Sequence, residues 1–459
     1  MYQIDFQNPI RIYFIGIGGI SMSGLAEILL AEDFTVSGSD REPTELTRTL
    51  EEHGVRVFYG QRSENLTDDI DLVVYTAAIQ NDNPELLAAK ERGIPTLTRA
   101  ELLGQMMKNY RLPVAVSGTH GKTTTTSMIA QILLSADTDP TLSIGGIYRP
   151  IGGNIRVGAS EIFVTEACEY TDSFLSFFPK IGVILNIEED HLDYFKDLAH
   201  IRNSFHRFAK LLPADGALII DGAIDNREEI TEGLSCPVIT YGFSPDLDYH
   251  ASEITHDESG FPSFLLTEKD GRKRRFSLHV HGDHNVSNAM AAVAAADRLH
   301  IPEEKIAEGL LAFAGTVRRF EYKGEVNGVT VIDDYAHHPT EIRATLNAAS
   351  QCPHKRLWCV FQPHTYSRTK SLLNEFANAL SLADEIVLAD IYAARETDTL
   401  GISSVTLQEE IKSLGHPCYY FPSFEEIEIF LNKNCTKDDL LITMGAGDVV
   451  KIGENLLQR

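Results

Sequence analysis

Between residues 118 and 126 the chain reads G-T-H-G-K-T-T-T-T, and these are residue types that bind a polyphosphate. Gly118 and Gly121 let backbone N–H groups approach phosphate oxygens, and Lys122 adds a full positive charge. The Thr123 hydroxyl suits a magnesium ion, and Thr119, His120 and Thr124 complete the stretch. The spacing departs from the common phosphate loop, which has four residues between its glycines. Here Thr119 and His120 alone separate them, and Val116 stands in the place of the first glycine.

Two further positions share this chemistry. Glu166 opens the run Glu166-Ala167-Cys168-Glu169, and His191 lies in Asn186-Ile187-Glu188-Glu189-Asp190-His191. A hard carboxylate and an imidazole beside a phosphate loop read as magnesium ligation and positioning. Taken singly, His191 also fits a structural histidine, and 188–190 a solvated helix start.

The elements that must position these groups follow from the apolar runs. Val114–Val116 reads as a strand, and Met128, Ile129, Ile132 and Leu133 repeat at helical spacing after the loop. Four threonines are poor helix formers, and a local rule broken at a helix start marks a functional site. Strands are also expected over 141–144, 161–165, 180–185, 217–220 and 237–241. Lys122, Glu166 and His191 thus follow strand ends, where open α/β sheets bind ligands. Residues 245–280 read as an irregular β excursion. Asn285 and Asn288 open an Ala-rich helix, where N-capping explains one amide and a purine edge could use the other.

Upstream, residues 11–19 read as a strand running into a glycine turn, with a helix over 21–31 and a strand over 34–36 that ends at Ser39-Asp40. This is a βαβ unit with a phosphate-binding turn and an acidic residue about 20 positions on. A strand over 71–75 ends at Thr76-Ala77-Ala78, and residues 109–113 read as a linker. Downstream, strands over 329–332, 357–361, 385–388 and 440–444 each run into polar residues, with helices over 339–349 and 370–382. This reads as a third parallel sheet with a functional rim. Asp333, Asp334, His337, His338 and His364 lie on that rim, without the spacing of a dedicated transition-metal site.

Composition sets the frame. The 459 residues suggest about three domains of roughly 150 residues. Hydrophobic and charged contents of 43% and 23% are those of a soluble globular protein, and a net charge of −26 argues against nucleic acid or anionic membrane as a main partner. The six cysteines are scattered without C-x-x-C, which fits a reducing, cytoplasmic setting. The N-terminus lacks the basic region of a signal peptide, and no run is long enough to span a membrane.

The chain resembles the Mur ligase family, the ATP-dependent enzymes that build the peptide stem of peptidoglycan. The resemblance rests on G-I-G-G-I-S-M-S-G (16–24), G-T-H-G-K-T-T-T (118–125), E-A-C-E-Y (166–170), N-I-E-E-D-H-L-D (186–193), D-H-N-V-S-N-A (283–289), V-R-R-F-E (317–321), D-D-Y-A-H-H-P-T-E (333–341) and F-Q-P-H-T-Y-S-R-T (361–369). The shortened phosphate loop is this family's form. Several blocks most resemble the branch that adds L-alanine to UDP-N-acetylmuramate.

The resemblance implies three α/β domains: a Rossmann-like UDP-sugar domain (1–109), a P-loop-type ATPase domain (110–314) and a Rossmann-like amino-acid domain (315–459). It implies an acyl-phosphate route that consumes ATP, with two magnesium ions held by Thr123, Glu166 and His191. Asn288, Arg319 and Asp334 would contact adenine, phosphate and ribose. Gly18, Gly19, Ile20, Ser21, Asp40 and Thr76 would hold the UDP part, and Tyr335, His337 and Arg368 the alanine. Some family members carry a carbamylated lysine where this chain has His206, so no carbamylation is expected. Thr365 stands where some alanine ligases have an arginine. The oligomeric state is left between monomer and dimer. The rivals are a family member that attaches a preformed murein tripeptide and, from another class, an NAD(P)-dependent oxidoreductase, which leaves the 118–126 stretch unexplained.

Overall fold

The run R-I-Y-F-I forms a strand, β1 (Arg11–Ile15), whose last four side chains are at most 1% exposed. A strand buried on both faces needs helices above and below it, which is the setting of a parallel sheet. The computed structural model describes residues 2–76, 79–191, 194–394 and 396–458. Ala77 and Ala78 after Thr76, and Leu192 and Asp193 at the end of the acidic motif, lie outside the described residues.

By contact the chain forms two units. The first comprises Met1–His250, Thr267–Arg272 and Asn288–Gly309; the second comprises Ala251–Leu266, Lys273–Ser287 and Leu310–Arg459. The first unit holds a sheet of order β3-β2-β1-β4-β5. Here β2 is Thr35–Asp40, β3 Arg56–Tyr59, β4 Leu72–Tyr75 and β5 Thr96–Thr98, and every pairing is parallel. The order reverses at β1, so a crevice opens at its carboxyl end, where the helix Ile20–Ala31 starts.

A larger sheet is built on β6 (Leu112–Ser117), β7 (Thr141–Tyr148), β8 (Gly153–Arg156), β9 (Ile162–Glu166), β10 (Ile181–Ile184), β11 (Ala217–Asp221) and β12 (Val238–Gly242), in the order β12-β11-β10-β6-β9-β7-β8. β13 (Tyr249–His256), β14 (Pro262–Glu268) and β15 (Lys273–Ser277) follow β12 in the sheet order. β6 is central, parallel to both β9 and β10. Within this unit the helix Ile20–Ala31 meets β8 at Gly24, where a Cβ would fall 2.1 Å from Ile155 Cδ1. Only glycine lets the two approach so closely.

The second unit holds β16 (Glu321–Val326), β17 (Val329–Asp334), β18 (Leu357–Phe361), β19 (Glu385–Leu388), β20 (Cys418–Tyr420) and β21 (Leu440–Met444), in the order β16-β17-β21-β18-β19-β20. This sheet is parallel except for β16, which pairs antiparallel with β17. The expectation of a wholly parallel third sheet is corrected to that extent.

Other expectations also shift. Residues 112 and 113 belong to β6 and not to a linker; Pro113 sits near the strand's start, where its carbonyl accepts from Lys180 N at 2.8 Å. β7 runs on to Tyr148 through Gly145 and Gly146. The single helix expected over 370–382 is two, Tyr366–Ser371 and Leu373–Leu380, divided at Leu372. Residues 188–190 do not start a helix; among the described residues the next one begins at Leu198. All six cysteines are free, and among the described residues no helix is long and apolar enough to cross a membrane.

Candidate active site

Three parallel strands of the first unit end level with one another. Val116 of β6 is in register with Glu166 of β9, and Ser117 with Ile184 of β10. The residues that follow therefore emerge along one sheet edge: the Gly118–Thr123 loop, Glu166 with Glu169, and Asn186 with His191.

The loop turns at Gly118 (φ 140°) and Gly121 (φ 84°), and Gly121 caps the helix Lys122–Ser135. Its backbone is clamped by a neighbour the sequence did not assign. Asn186 Oδ1 accepts from His120 N at 2.7 Å, and Asn186 Nδ2 donates to His120 O at 3.1 Å. Thr119 Oγ1 accepts from Glu188 N at 2.9 Å, and His120 Nε2 lies 3.5 Å from Glu188 Oε2. Thr124 sits half-buried in the first helical turn. The Asn288 side chain stands against the loop: a Cβ on Gly121 would lie 2.7 Å from its Oδ1. Gly121→Ala should therefore combine a left-handed backbone with a clash, costing about 1–3 kcal/mol and weakening nucleotide binding at least tenfold. Thermal unfolding with and without ATP checks this; a variant that binds ATP normally would exclude a tight loop at Gly121.

Lys122 Nζ donates to Gly118 O at 2.5 Å and Thr119 O at 3.0 Å, and lies 3.0 Å from Glu169 Oε2. Burial works against its charge, but Glu169 and Glu166 outweigh that and hold the ammonium above its ordinary range. Thr123 Oγ1 donates to Glu166 Oε2 at 3.1 Å, and Gly145 N donates to the other Glu166 oxygen. His191 (φ 52°) brings Nε2 to 3.9 Å from Glu169 Oε1 and 3.8 Å from Asp190 Oδ2, with the Tyr170 ring 4.5 Å away. Lys122, Thr123, Glu166 and His191 are thus brought to one sheet edge, with Glu169 between Lys122 and His191. Glu169 was visible as the second carboxylate of E-A-C-E, but no spacing singles it out.

In the first sheet's crevice, Asp40 Oδ2 accepts from Gly18 N at 2.7 Å and fixes the glycine turn. The turn's other N–H groups are bonded within it, Gly16 N and Ile17 N to Ser39 O and Gly19 N to Gly16 O; Gly19 caps the helix without a side-chain bond, and Ile20 beside it is 47% exposed. Ser21 Oγ accepts from Arg99 Nη1 at 3.0 Å, a basic partner the sequence did not indicate. Thr76 follows β4 and flanks Gly16, with its methyl 3.5 Å from where a Gly16 Cβ would lie. At His206, where no carbamylation is expected, Nδ1 is 3.1 Å from Ile230 O.

In the second unit, Arg318 is spent on structure: Nε donates to Asp333 Oδ2 at 2.9 Å, and the Nη atoms to Gly447 O and Gly445 O. Asp333 also accepts from Thr443 Oγ1 at 2.7 Å and is fully buried, so it is committed to the core of the rim. Arg319 lies over the Tyr335 ring at 5.3 Å and 3.6 Å from Glu341. His337 Nδ1 is 3.0 Å from Tyr335 O, its ring is 5.7 Å from that of His364, and Arg368 Nη1 is 3.3 Å from His364 Nδ1. Thr365 caps the helix Tyr366–Ser371 (φ 66°).

Asp334 accepts from Phe320 N at 2.8 Å and Ala336 N at 2.7 Å. Burial pushes its carboxyl up to about 6 against the pull of Arg319. The folded chain then keeps a proton between about pH 4 and 6 that the unfolded chain has lost. This group's stabilisation is full below about pH 4 and is lost as pH rises through 6, by up to ~3 kcal/mol. Asp334→Asn, which does not titrate, should flatten the stability of this unit over that window. Denaturant unfolding of both proteins between pH 4 and 7 measures it, and equal slopes would count against the shift.

Known proteins are similar to this chain over its length. Residues 11–111 match the model described as Mur ligase family, catalytic domain; 116–296 match Mur ligase middle domain; and 318–447 match Mur ligase, glutamate ligase domain. The UDP-N-acetylmuramate–L-alanine ligases of Agathobacter rectalis and Lachnospira eligens are each 60% identical to this chain, over the full length of both proteins. Among solved structures, UDP-N-acetylmuramate-alanine ligase from Thermotoga maritima is 29% identical, with a TM-score of 0.82 over 98% of this chain and 99% of its own. A murein peptide ligase from Psychrobacter arcticus is 27% identical, with a TM-score of 0.72 over 98% of each chain.

Proposed function

The chain belongs to the Mur ligase family, and from that membership we propose that it joins L-alanine to UDP-N-acetylmuramate at the expense of ATP, in peptidoglycan precursor synthesis. The observation that carries this reading is full-length kinship at 60% identity with ligases of that name.

A carboxylate is a poor acyl donor because its leaving group would be oxide. The lactyl carboxylate therefore attacks the γ-phosphorus of ATP, ADP departs, and an acyl phosphate forms. The alanine amine then attacks the acyl carbon, and the tetrahedral intermediate collapses with loss of phosphate. No enzyme nucleophile is needed. The protein's work is to hold anions together and to meet developing charge with fixed dipoles and cations.

Lys122 and the loop N–H groups meet the β- and γ-phosphates. Asn288, Arg319 and Asp334 serve adenine, phosphate and ribose. The 18–21 turn, Asp40 and Thr76 hold the UDP part, and Tyr335, His337 and Arg368 receive the amino acid. The hydroxyl of Thr123 and the carboxylate of Glu166 are hard oxygen donors 3.1 Å apart, which fit magnesium, and His191 between carboxylates fits a second ion. Magnesium bound there neutralises phosphate charge. The functional division is 1–109, 110–314 and 315–459, and the setting is cytoplasmic.

Phosphate release tests the reading, with ATP, magnesium and UDP-N-acetylmuramate present and each acceptor supplied in turn. L-alanine should stimulate release most, ahead of glycine and L-serine. Stimulation by a murein tripeptide and not by L-alanine would move the chain to the other branch of the family.

A further inference from the structure

Glu169 carries no role in the reading above, yet it is the side chain that touches both ends of the phosphate-transfer site. It is 2% exposed. Its Oε2 and Oε1 lie 3.0 and 3.4 Å from Lys122 Nζ, and Oε1 lies 3.9 Å from His191 Nε2.

An ammonium has three protons. Those of Lys122 are directed at Gly118 O, Thr119 O and Glu169, so its donors are fully used. A phosphate oxygen can reach Nζ only by displacing one of the three. The two carbonyls belong to a backbone held by Asn186 and Leu185, with Thr119 N bonded to Asn186 O at 3.2 Å and Leu185 N to Ser117 O at 3.0 Å. Glu169 is the partner that can turn. A buried carboxylate left without a cation is strongly unfavourable, and the imidazole of His191 stands at its other oxygen.

We propose that Glu169 is a positioning residue that exchanges partners. It parks Lys122 before nucleotide binds, yields Lys122 to the phosphates, and then engages His191 to set that imidazole for the transfer. Arrival of nucleotide in the loop is thereby coupled to alignment of His191. The inference rests on the ligase reading above and adds a residue to it.

Removing the charge separates the two halves of the exchange. Glu169→Gln should bind a non-hydrolysable ATP analogue about 3- to 10-fold more tightly, because Lys122 no longer has to leave a carboxylate. The same variant should lose about 10- to 100-fold in kcat, because His191 is no longer held. Glu169→Asp keeps the charge but draws it back by one methylene. It should shift both quantities the same way by less, and it serves if the glutamine variant does not fold. His191→Ala should lose turnover without the tighter analogue binding expected of Glu169→Gln.

Calorimetry with the analogue and steady-state phosphate release give the two readouts, and a merely structural role would not move them in opposite directions. Analogue binding that is weakened or unchanged in the Glu169 variants, or turnover that is unchanged, would overturn the exchange. Wild-type protein is assayed alongside. If it binds the analogue but makes no amide, the ligase reading fails, while the affinity shift still decides whether Glu169 restrains Lys122.

Discussion

Lys122→Ala should lower kcat by about 10²- to 10³-fold, the effect of losing one preorganised charge partner of the transition state. The ammonium sits within a helix start and a glycine turn, with 16% of its side chain exposed. Water cannot replace it there at little cost. The substitution has a second consequence: it leaves Glu169 buried without its cation, which is expected to destabilise the protein by about 3–5 kcal/mol. Loss of activity alone would not separate the two effects. The double variant Lys122→Ala/Glu169→Ala removes both charges, so it should recover most of the stability and none of the turnover. Thermal unfolding and phosphate release on both variants give the answer. Turnover near the wild-type level in either one would remove Lys122 from the reaction.

Glu166→Gln is the second large expectation. Both carboxylate oxygens are engaged, one by the Thr123 hydroxyl and one by Gly145 N, and both partners donate. A glutamine keeps one acceptor and turns an amide N–H toward the other donor. The geometry should survive with a stability loss of about 1–2 kcal/mol, but the charge that suits a divalent cation is gone. We expect kcat to fall about 10²-fold and half-saturation by magnesium to rise about tenfold. A magnesium titration of phosphate release checks both. An unchanged magnesium dependence would place the metal elsewhere.

Much of this was legible because buried parallel strands write their ends clearly. β18, β19 and β21 lie where their apolar runs begin and stop, since each run is buried on both faces and gives way to polar residues at the sheet edge. The strands that left little trace, β3, β5, β8, β16 and β20, are all edge strands. Half of an edge strand faces away from the core, so G-N-I-R, E-Y-K-G-E-V and C-Y-Y need no continuous apolar run.

The site shows the same division. Lys122, Thr123, Glu166 and His191 could be read because each residue type carries its chemistry and each follows a strand. The work of Glu169, Asn186 and Arg99 depends on which side chain meets which across separate segments, and such meetings leave no periodicity. Arg318 and Arg319 are adjacent and both lie over the Tyr335 ring, at 5.0 and 5.3 Å, yet one is spent on Asp333 and two carbonyls while the other lies 3.6 Å from Glu341. Only the turn at Arg318 (φ 62°) separates them.

The level ends of β6, β9 and β10 make the catalytic spacing a matter of counting. Deleting one residue anywhere in β6 would leave its buried run able to pair again, one step along. The loop would then arrive about 3.3 Å short of Glu166 and Asn186, with the strand's side chains beyond the deletion turned to the opposite face. Substitutions within β6 that keep its length and its apolar character should be tolerated far better than any change of length. For this chain the distance between the glycine loop and the carboxylates is stored as a number of residues, and insertions or deletions are the changes it can least absorb.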